Sequence, residues 1–212
     1  MFLDELALKY ESDKGVQYHS YTQYYNLVFE KIREQSLKIL EIGVCRGGSL
    51  KMWKEYFPNS LIYGIDIDPA CKKLEEDRIK IFIGKQADPV FLEEVKKTIN
   101  DEIDIIIDDG SHKSVDQIAS FKNLFQYVKS GGYYVIEDLI TSYRRINRGV
   151  KTTCIVYLHT LIDDMNLNGK VNCADKRKMI CQLKKKKIEL NYNEKNIEYI
   201  LMFPSLCIIK KI

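Results

Sequence analysis

Five short apolar runs separated by amphipathic stretches leave this chain few ways to fold. The runs cover residues 38–42, 61–66, 79–83, 103–107 and 133–136. Each is too short for a stable helix and too evenly apolar for a strand with one wet face, so each reads as a strand buried on both sides. Helical stretches lie between them, over residues 48–56, 69–76, 89–100 and 115–128, each opened or closed by Gly, Pro, Asp or Ser. Strands that alternate with helices pair in parallel, because each crossover helix returns the chain to the same edge of the sheet. A further helix is expected over residues 22–34. Residues 197–202 and 206–209, on either side of Phe203-Pro204, read as two antiparallel strands around a tight turn. The expected fold is α/β: a Rossmann-like, doubly wound, mostly parallel sheet of seven strands with an antiparallel C-terminal strand hairpin. One compact domain is expected, with residues 1–36 forming a segment and helix that cover the ligand site and residues 37–212 carrying it.

Composition agrees with a single core. The chain has 212 residues, 45% hydrophobic and 30% charged, enough apolar side chain to close one domain. Its 33 basic and 30 acidic residues leave a net charge of +3, too weak a field for a dedicated nucleic-acid binder. The six cysteines, Cys45, Cys71, Cys154, Cys173, Cys181 and Cys207, form no C-x-x-C pair, so reduced thiols in a cytoplasmic protein are expected. Asp4 and Glu5 interrupt the apolar N-terminus and no run of eighteen apolar residues occurs, so neither a signal peptide nor a membrane span is expected.

The chemistry gathers where the strands end. The first strand runs into Glu41-Ile42-Gly43-Val44-Cys45-Arg46-Gly47-Gly48-Ser49, where glycine permits both a sharp turn and close approach to a ligand. The spacing departs from G-x-G-x-x-G, and Glu41, two residues before the first glycine, suits a cationic amino-acid ligand better than a pyrophosphate. S-adenosylmethionine is such a ligand, and the methyltransferase form of this sheet also ends with an inserted antiparallel strand. A purely structural turn is the alternative. Asp66 closes the second strand, about 20 residues past the glycine turn, where a carboxylate accepts both ribose hydroxyls. Gln86, after the third strand, is either an adenine contact or part of a polar loop in which Asp88 caps a helix.

The fourth strand ends in Asp108-Asp109-Gly110-Ser111-His112 and the fifth in Glu137-Asp138. Adjacent parallel strands overlook one crevice, so Asp109, Glu137 and Asp138 can converge and would repel each other without a cation. Magnesium, with its preference for oxygen, is the expected partner; helix caps and cofactor contacts are the alternative for these acids. His112, three residues past Asp109, is placed to take a proton from a hydroxyl. His159, inside an apolar helical stretch, carries no such expectation, and His19 is intermediate.

These motifs together resemble the macrocin/mycinamicin sugar O-methyltransferases and the related group labelled rhamnosyl O-methyltransferase or cephalosporin hydroxylase. The resemblance starts at Lys9-Tyr10, Ser12-Asp13-Lys14-Gly15 and His19-Ser20-Tyr21-Thr22. It continues through Leu40 to Val44, Gly47-Gly48-Ser49-Leu50 and Met52-Trp53, and reaches Ile107 to His112 and Val135 to Asp138, about two-thirds of the chain. It implies a class I methyltransferase in which Asp109, Glu137 and Asp138 hold magnesium and His112 is the general base, with Asp109 beside it in the catalytic group. It also implies that Ser49, Asp66, Gln86 and Asp109 contact S-adenosylmethionine. Glu41, Gly43, Gly47 and Asp108 complete the expected cofactor site. Lys85, where the family often has an acid, and the compact lysine-rich region after Arg148 depart from the pattern.

The implied reaction is methyl transfer to a sugar hydroxyl of a nucleotide sugar, a surface glycan or a glycosylated natural product, by a monomer or homo-oligomer without a membrane span. Asp108-Asp109-Gly110-Ser111 stands where an N/D-P-P-Y/F signature would mark amine methylation of bases. A hydroxylase component is the rival from the related group, but no second histidine ligand is evident. A non-catalytic S-adenosylmethionine-binding module and an RNA methyltransferase using residues 170–195 are further rivals. That stretch, with Lys184-Lys185-Lys186-Lys187, is either a solvated helix face or, with Arg144, Arg145 and Arg148, an anion-attracting rim for a phosphorylated or nucleotide-linked acceptor.

Overall fold

The computed structural model describes residues 2–100, 102–171 and 175–212. Among these, seven strands form one sheet: β1 (Lys38–Ile42), β2 (Leu61–Asp66), β3 (Ile79–Ile83), β4 (Ile103–Asp108), β5 (Val128–Ile136), β6 (Ile197–Phe203) and β7 (Leu206–Lys211). The α-helices are α1 (Phe2–Lys9), α2 (Thr22–Phe29), α3 (Gly48–Tyr56), α4 (Pro89–Ile99), α5 (Ser114–Leu124), α6 (Cys154–Met165), α7 (Lys176–Lys186) and α8 (Tyr192–Asn196). The strand order is β3-β2-β1-β4-β5-β7-β6. The first five strands run parallel, and β7 inserts antiparallel between β5 and β6, so the mostly parallel sheet with a C-terminal hairpin is observed.

Alternating side chains send each strand's apolar residues to both faces. On one face Ile39, Ile62, Ile81, Ile105, Ile107, Val135 and Ile208 meet Leu3 and Leu6 of α1, Tyr25 and Phe29 of α2, and Leu50 and Trp53 of α3. On the other face Leu40, Ile42, Ile106, Tyr134, Ile136 and Ile209 meet Leu92 of α4, Phe121 of α5, and Leu158 and Leu161 of α6. Sequence-local signals set several helix starts. Pro89 opens α4, whose first N–H groups at Val90 and Phe91 donate to the Asp88 side chain.

Several boundaries differ from expectation. Residues 69–74 form a 3₁₀ helix, because Asp68 caps Ala70 and an antiparallel bridge between Glu76 and Ile79 takes up the residues a longer helix would need. The second helix ends at Phe29 and tightens into a 3₁₀ turn over Glu30–Ile32. α5 stops at Leu124, and β5 begins at Val128, passing Gly131 at positive φ with a shift in register against β4. Gly131-Gly132 hid this irregular strand start from the apolar pattern. Five cysteines are free thiols, and Cys173 lies outside the described residues. No helix among the described residues is long and apolar enough to cross a membrane.

Register places the chemistry. Ile42 pairs with both Ile65 and Asp108, and Asp108 pairs with Ile136. Asp66, the last residue of β2, and Gly43, Asp109 and Glu137, just past β1, β4 and β5, therefore share one edge, the carboxyl ends of the strands.

Candidate active site

The glycine turn closes the first half of that edge. Gly43 has φ +98°, and a Cβ placed there would lie 2.2 Å from the carbonyl oxygen of Asp109, so only glycine lets the ends of β1 and β4 come this close. At Gly48 a Cβ would lie 2.4 Å from the Tyr10 carbonyl oxygen, so the N-terminal segment runs directly against the start of α3. Gly47 is the left-handed residue before that helix, and half-buried Ser49 is in its first turn.

Asp66 stiffens the turn. Its Oδ2 accepts from the N–H groups of Val44 (2.8 Å) and Cys45 (3.0 Å), and Oδ1 accepts from Asp68 at 2.9 Å. Burial would raise this carboxyl, but the three backbone donors outweigh it and hold it below the usual carboxylate range. Gly43, Asp66, Gly84, Gln86, Gly110 and Ser111, with Ile42 and Ile65, line a cleft of about 510 Å³.

Gln86 borders the cleft but turns its amide inward. Nε2 donates to Asp108 and to the Ser120 hydroxyl, both at 3.0 Å, and Oε1 accepts from the Ser111 N–H at 2.7 Å. Asp108 itself is fully buried beneath the cleft, and burial pushes its carboxyl up to about 6. Consecutive residues at a strand end face opposite ways, which separates Asp108 from Asp109. Asp88 has the helix-capping role that the sequence left open beside Gln86.

The second half of the edge holds the acids, in two groups that share Asp109. Ligand atoms of Asp109, His112 and Asp138 lie within 4.8 Å of one another, as do those of Glu41, Asp109 and Glu137. The first group is partly open: side-chain exposure is 17% for Asp109, 33% for His112 and 16% for Asp138. His112 and Asp138 both adopt positive φ, and His112 Nδ1 faces Asp138 Oδ2 at 3.6 Å. The His112 carbonyl accepts from Thr141 Oγ1 (3.0 Å) and Asn147 Nδ2 (3.3 Å), which anchors the segment after β5 to the histidine. His19 stacks on Tyr21 and reaches 4.0 Å from Asp138, outside both groups.

The second group is buried around a residue that the strand pattern did not single out. Lys14 Nζ lies 2.6 Å from Asp109, 2.9 Å from Glu137 and 3.2 Å from Glu41, and its side chain is completely enclosed. Burial would lower its ammonium, but the three carboxylates outweigh that and raise it well above the ordinary value. Burial and the neighbouring Asp109 raise the Glu137 carboxyl well above its usual range, against the pull of Lys14. Tyr25 donates a short hydrogen bond to the other Glu137 oxygen, and Tyr21 donates to Asp138 Oδ1 at 2.9 Å. The N-terminal segment therefore supplies a cation and two hydroxyls to the carboxylates. Their only trace in the sequence is that Lys14 and Tyr21 fall inside the resembling N-terminal motifs.

A hard dication fits this edge. Asp109 and Asp138 present carboxylate oxygens close together on side chains that are partly exposed. Glu137, engaged by Lys14 and Tyr25, is the member of the expected set that stands behind them.

The lysine-rich stretch lies elsewhere, except that residues 172–174 are outside the described residues. Lys186 Nζ donates to the Lys170 carbonyl, and Lys170 pairs with Glu194 at 2.6 Å. Glu194 precedes β6, whose first residue pairs with Lys211, and Lys211 Nζ donates to the carbonyl of Val128 at the start of β5. The C-terminal end of α7 is thus at the amino end of the sheet, away from the carboxylates. Arg144, Arg145 and Arg148 are exposed on the segment anchored to His112, together with Ile140, Tyr143 and Ile146.

Comparison with known proteins gives a consistent set of relatives. No protein-family profile matches the chain. It is 40% identical over 177 residues to the 8-demethyl-8-(2-methoxy-alpha-L-rhamnosyl)-tetracenomycin-C 3'-O-methyltransferase of Streptomyces olivaceus, covering 77% of this chain and 45% of that protein. It is 41% identical over 148 residues to the demethylmacrocin O-methyltransferase of Streptomyces fradiae, covering 66% of this chain and 37% of that protein. Among solved structures, the MycE methyltransferase of the mycinamycin biosynthetic pathway, in complex with Mg, SAH and mycinamycin VI, superposes with a TM-score of 0.82. Identity is 31%, over 100% of this chain and 54% of that one. The chain spans about half the length, or less, of the relatives it matches. A methyltransferase from Archaeoglobus fulgidus, 18% identical with a TM-score of 0.51, shares the fold.

Proposed function

Because this chain belongs to the macrocin/mycinamicin-type sugar O-methyltransferase family, we propose that it transfers the methyl group of S-adenosylmethionine to a sugar hydroxyl with the help of magnesium. The observation that carries this reading is the shared edge. The cleft bordered by Gly43 and Asp66 opens beside the group formed by Asp109, His112 and Asp138.

Asp66 takes the ribose end of S-adenosylmethionine, and the glycine turn admits its amino-acid end. Glu41, Gly47, Ser49, Gln86 and Asp108 build the walls and floor around it, Gln86 and Asp108 by fixing the cleft more than by touching the ligand. Asp109 and Asp138, with Glu137 behind them, are the oxygen donors for magnesium, which supplies polarisation of the acceptor hydroxyl. His112 acts as the base. Its Nδ1 faces Asp138 at 3.6 Å, which leaves Nε2 to accept the hydroxyl proton. As the O–H bond breaks, the oxygen forms its bond to the methyl carbon, and the carbon–sulfur electron pair stays on sulfur. The chain's task is largely to hold the two partners in line.

The acceptor is proposed to be a glycosylated small molecule. Ile140, Tyr143 and Ile146 offer an exposed apolar and aromatic surface next to His112, which suits an aglycone. An anionic handle now rests on Arg144, Arg145 and Arg148 alone, since Lys184 to Lys187 lie at the opposite end of the sheet. An RNA methyltransferase would need those lysines beside the crevice. A hydroxylase would need two histidines on one metal, and His19 stays outside the group that contains His112.

Calorimetry tests the cofactor half of the proposal. Wild-type protein is expected to bind S-adenosylmethionine, and Asp66→Ala to bind it at least 10-fold more weakly, because the variant loses the ribose carboxylate and frees the glycine turn. Equal affinity in the two proteins would remove the cofactor from this cleft.

A further inference from the structure

Lys14 has no part in the reaction above, yet the fold goes to some length to place it. The Ser12 N–H donates to the Ala7 carbonyl, and the N–H groups of Tyr21 and Thr22 both donate to the carbonyl of Lys14. The backbone is thus pinned before and after the lysine, and the side chain enters the crevice from the N-terminal segment. There the ammonium stands among Glu41, Asp109 and Glu137, whose oxygens are spaced to hold a metal ion. Glu41 is fully buried, and the Lys14 ammonium, 3.2 Å from its Oε1, is the cation that compensates its charge. An ammonium offers three donors, and here it faces three carboxylates. Without it, three acids would be left in one enclosed site, an arrangement that proteins do not sustain unpaired.

We propose that Lys14 is a built-in cation that fills an inner metal position formed by Glu41, Asp109 and Glu137, and so confines divalent ions to the outer position at Asp109 and Asp138. The outer half of this statement rests on the proposed function, and the inner half stands on the contacts of Lys14 alone. Lys14 is a positioning residue. It holds Oδ2 of Asp109, the residue that the two acid groups share, at 2.6 Å. Unlike a bound ion, a lysine cannot be lost to chelation, so the N-terminal segment stays docked whether or not the outer ion is present.

Counting Mn²⁺ ions per chain in the full-length protein tests this. Lys14→Met keeps the length of the side-chain stem and removes the charge. The substitution is expected to add one bound Mn²⁺ per chain, from one to two. Mg²⁺ should also raise the melting temperature of the variant by roughly 5 °C more than that of the wild type, since the ion then binds only the folded site. If the variant does not fold without metal, refolding restored by Mg²⁺ or Mn²⁺ supports the proposal equally. The same ion count with the same Mg²⁺ response would overturn it, as would an unfolded variant that neither ion rescues, or two ions already bound to the wild type. A wild type that binds none and a variant that binds one would uphold the role of Lys14 while removing the outer ion from the proposed function.

Discussion

His112→Asn is expected to lower kcat for methyl transfer by about 10²-fold to 10⁴-fold, while the affinity for S-adenosylmethionine stays within about 2-fold of wild type. A general base acts on the acceptor's proton and not on the sulfonium, and His112 is outside the residues that line the Asp66 cleft. Asparagine is the informative replacement because His112 has φ +56°, a conformation that asparagine tolerates better than alanine does. The variant therefore loses the imidazole without straining the turn whose carbonyl anchors Thr141 and Asn147. Stopped-turnover kinetics with a saturating acceptor would read the effect. A variant that keeps near-wild-type kcat would make His112 a structural residue of the β4 turn.

Removing the divalent ion is expected to have an effect at least as large. Chelation should reduce turnover to background, and added Mg²⁺ should restore it, because Asp109 and Asp138 crowd one open site and an uncharged acceptor hydroxyl needs polarisation before it can react. Calorimetric binding of S-adenosylmethionine should survive chelation, since Asp66 and the glycine turn are satisfied by backbone contacts that involve no metal. Full activity in a metal-free preparation would leave Asp138 as a partner of His112 and Tyr21 and Asp109 as a partner of Lys14.

The fold and the strand-end residues could be read from the sequence because they depend on local pattern. Apolar runs announced five of the strands, and the Phe203-Pro204 punctuation announced the final hairpin. The glycine turn, Asp66 and the acids after β4 and β5 then followed from strand ends sharing an edge. What escaped depends on contacts between distant segments. Lys14 meets Asp109 and Glu137 across 95 and 123 positions of sequence, and no periodicity encodes such a meeting. The expectation that three acids need a cation was physically sound, but a lysine from the N-terminal segment supplies part of that charge. The orientation of the Gln86 amide was not legible in the sequence for a related reason. Its partners, Asp108, Ser111 and Ser120, come from β4, the following turn and α5, and only the assembled sheet shows that they consume its amide. The lysine run gave a charge without a position, and the position came from where α7 ends relative to β5 and β6.

Transfer of a labelled methyl group from S-adenosylmethionine to a panel of glycosylated small molecules, with Mg²⁺ present and product mapped by mass spectrometry, tests the proposed activity most directly. The expected result is label on a sugar oxygen of at least one glycoside, with no label on the matching aglycone. Label on a ring nitrogen or on RNA, or no transfer to any glycoside by protein that binds S-adenosylmethionine and Mg²⁺, would contradict it.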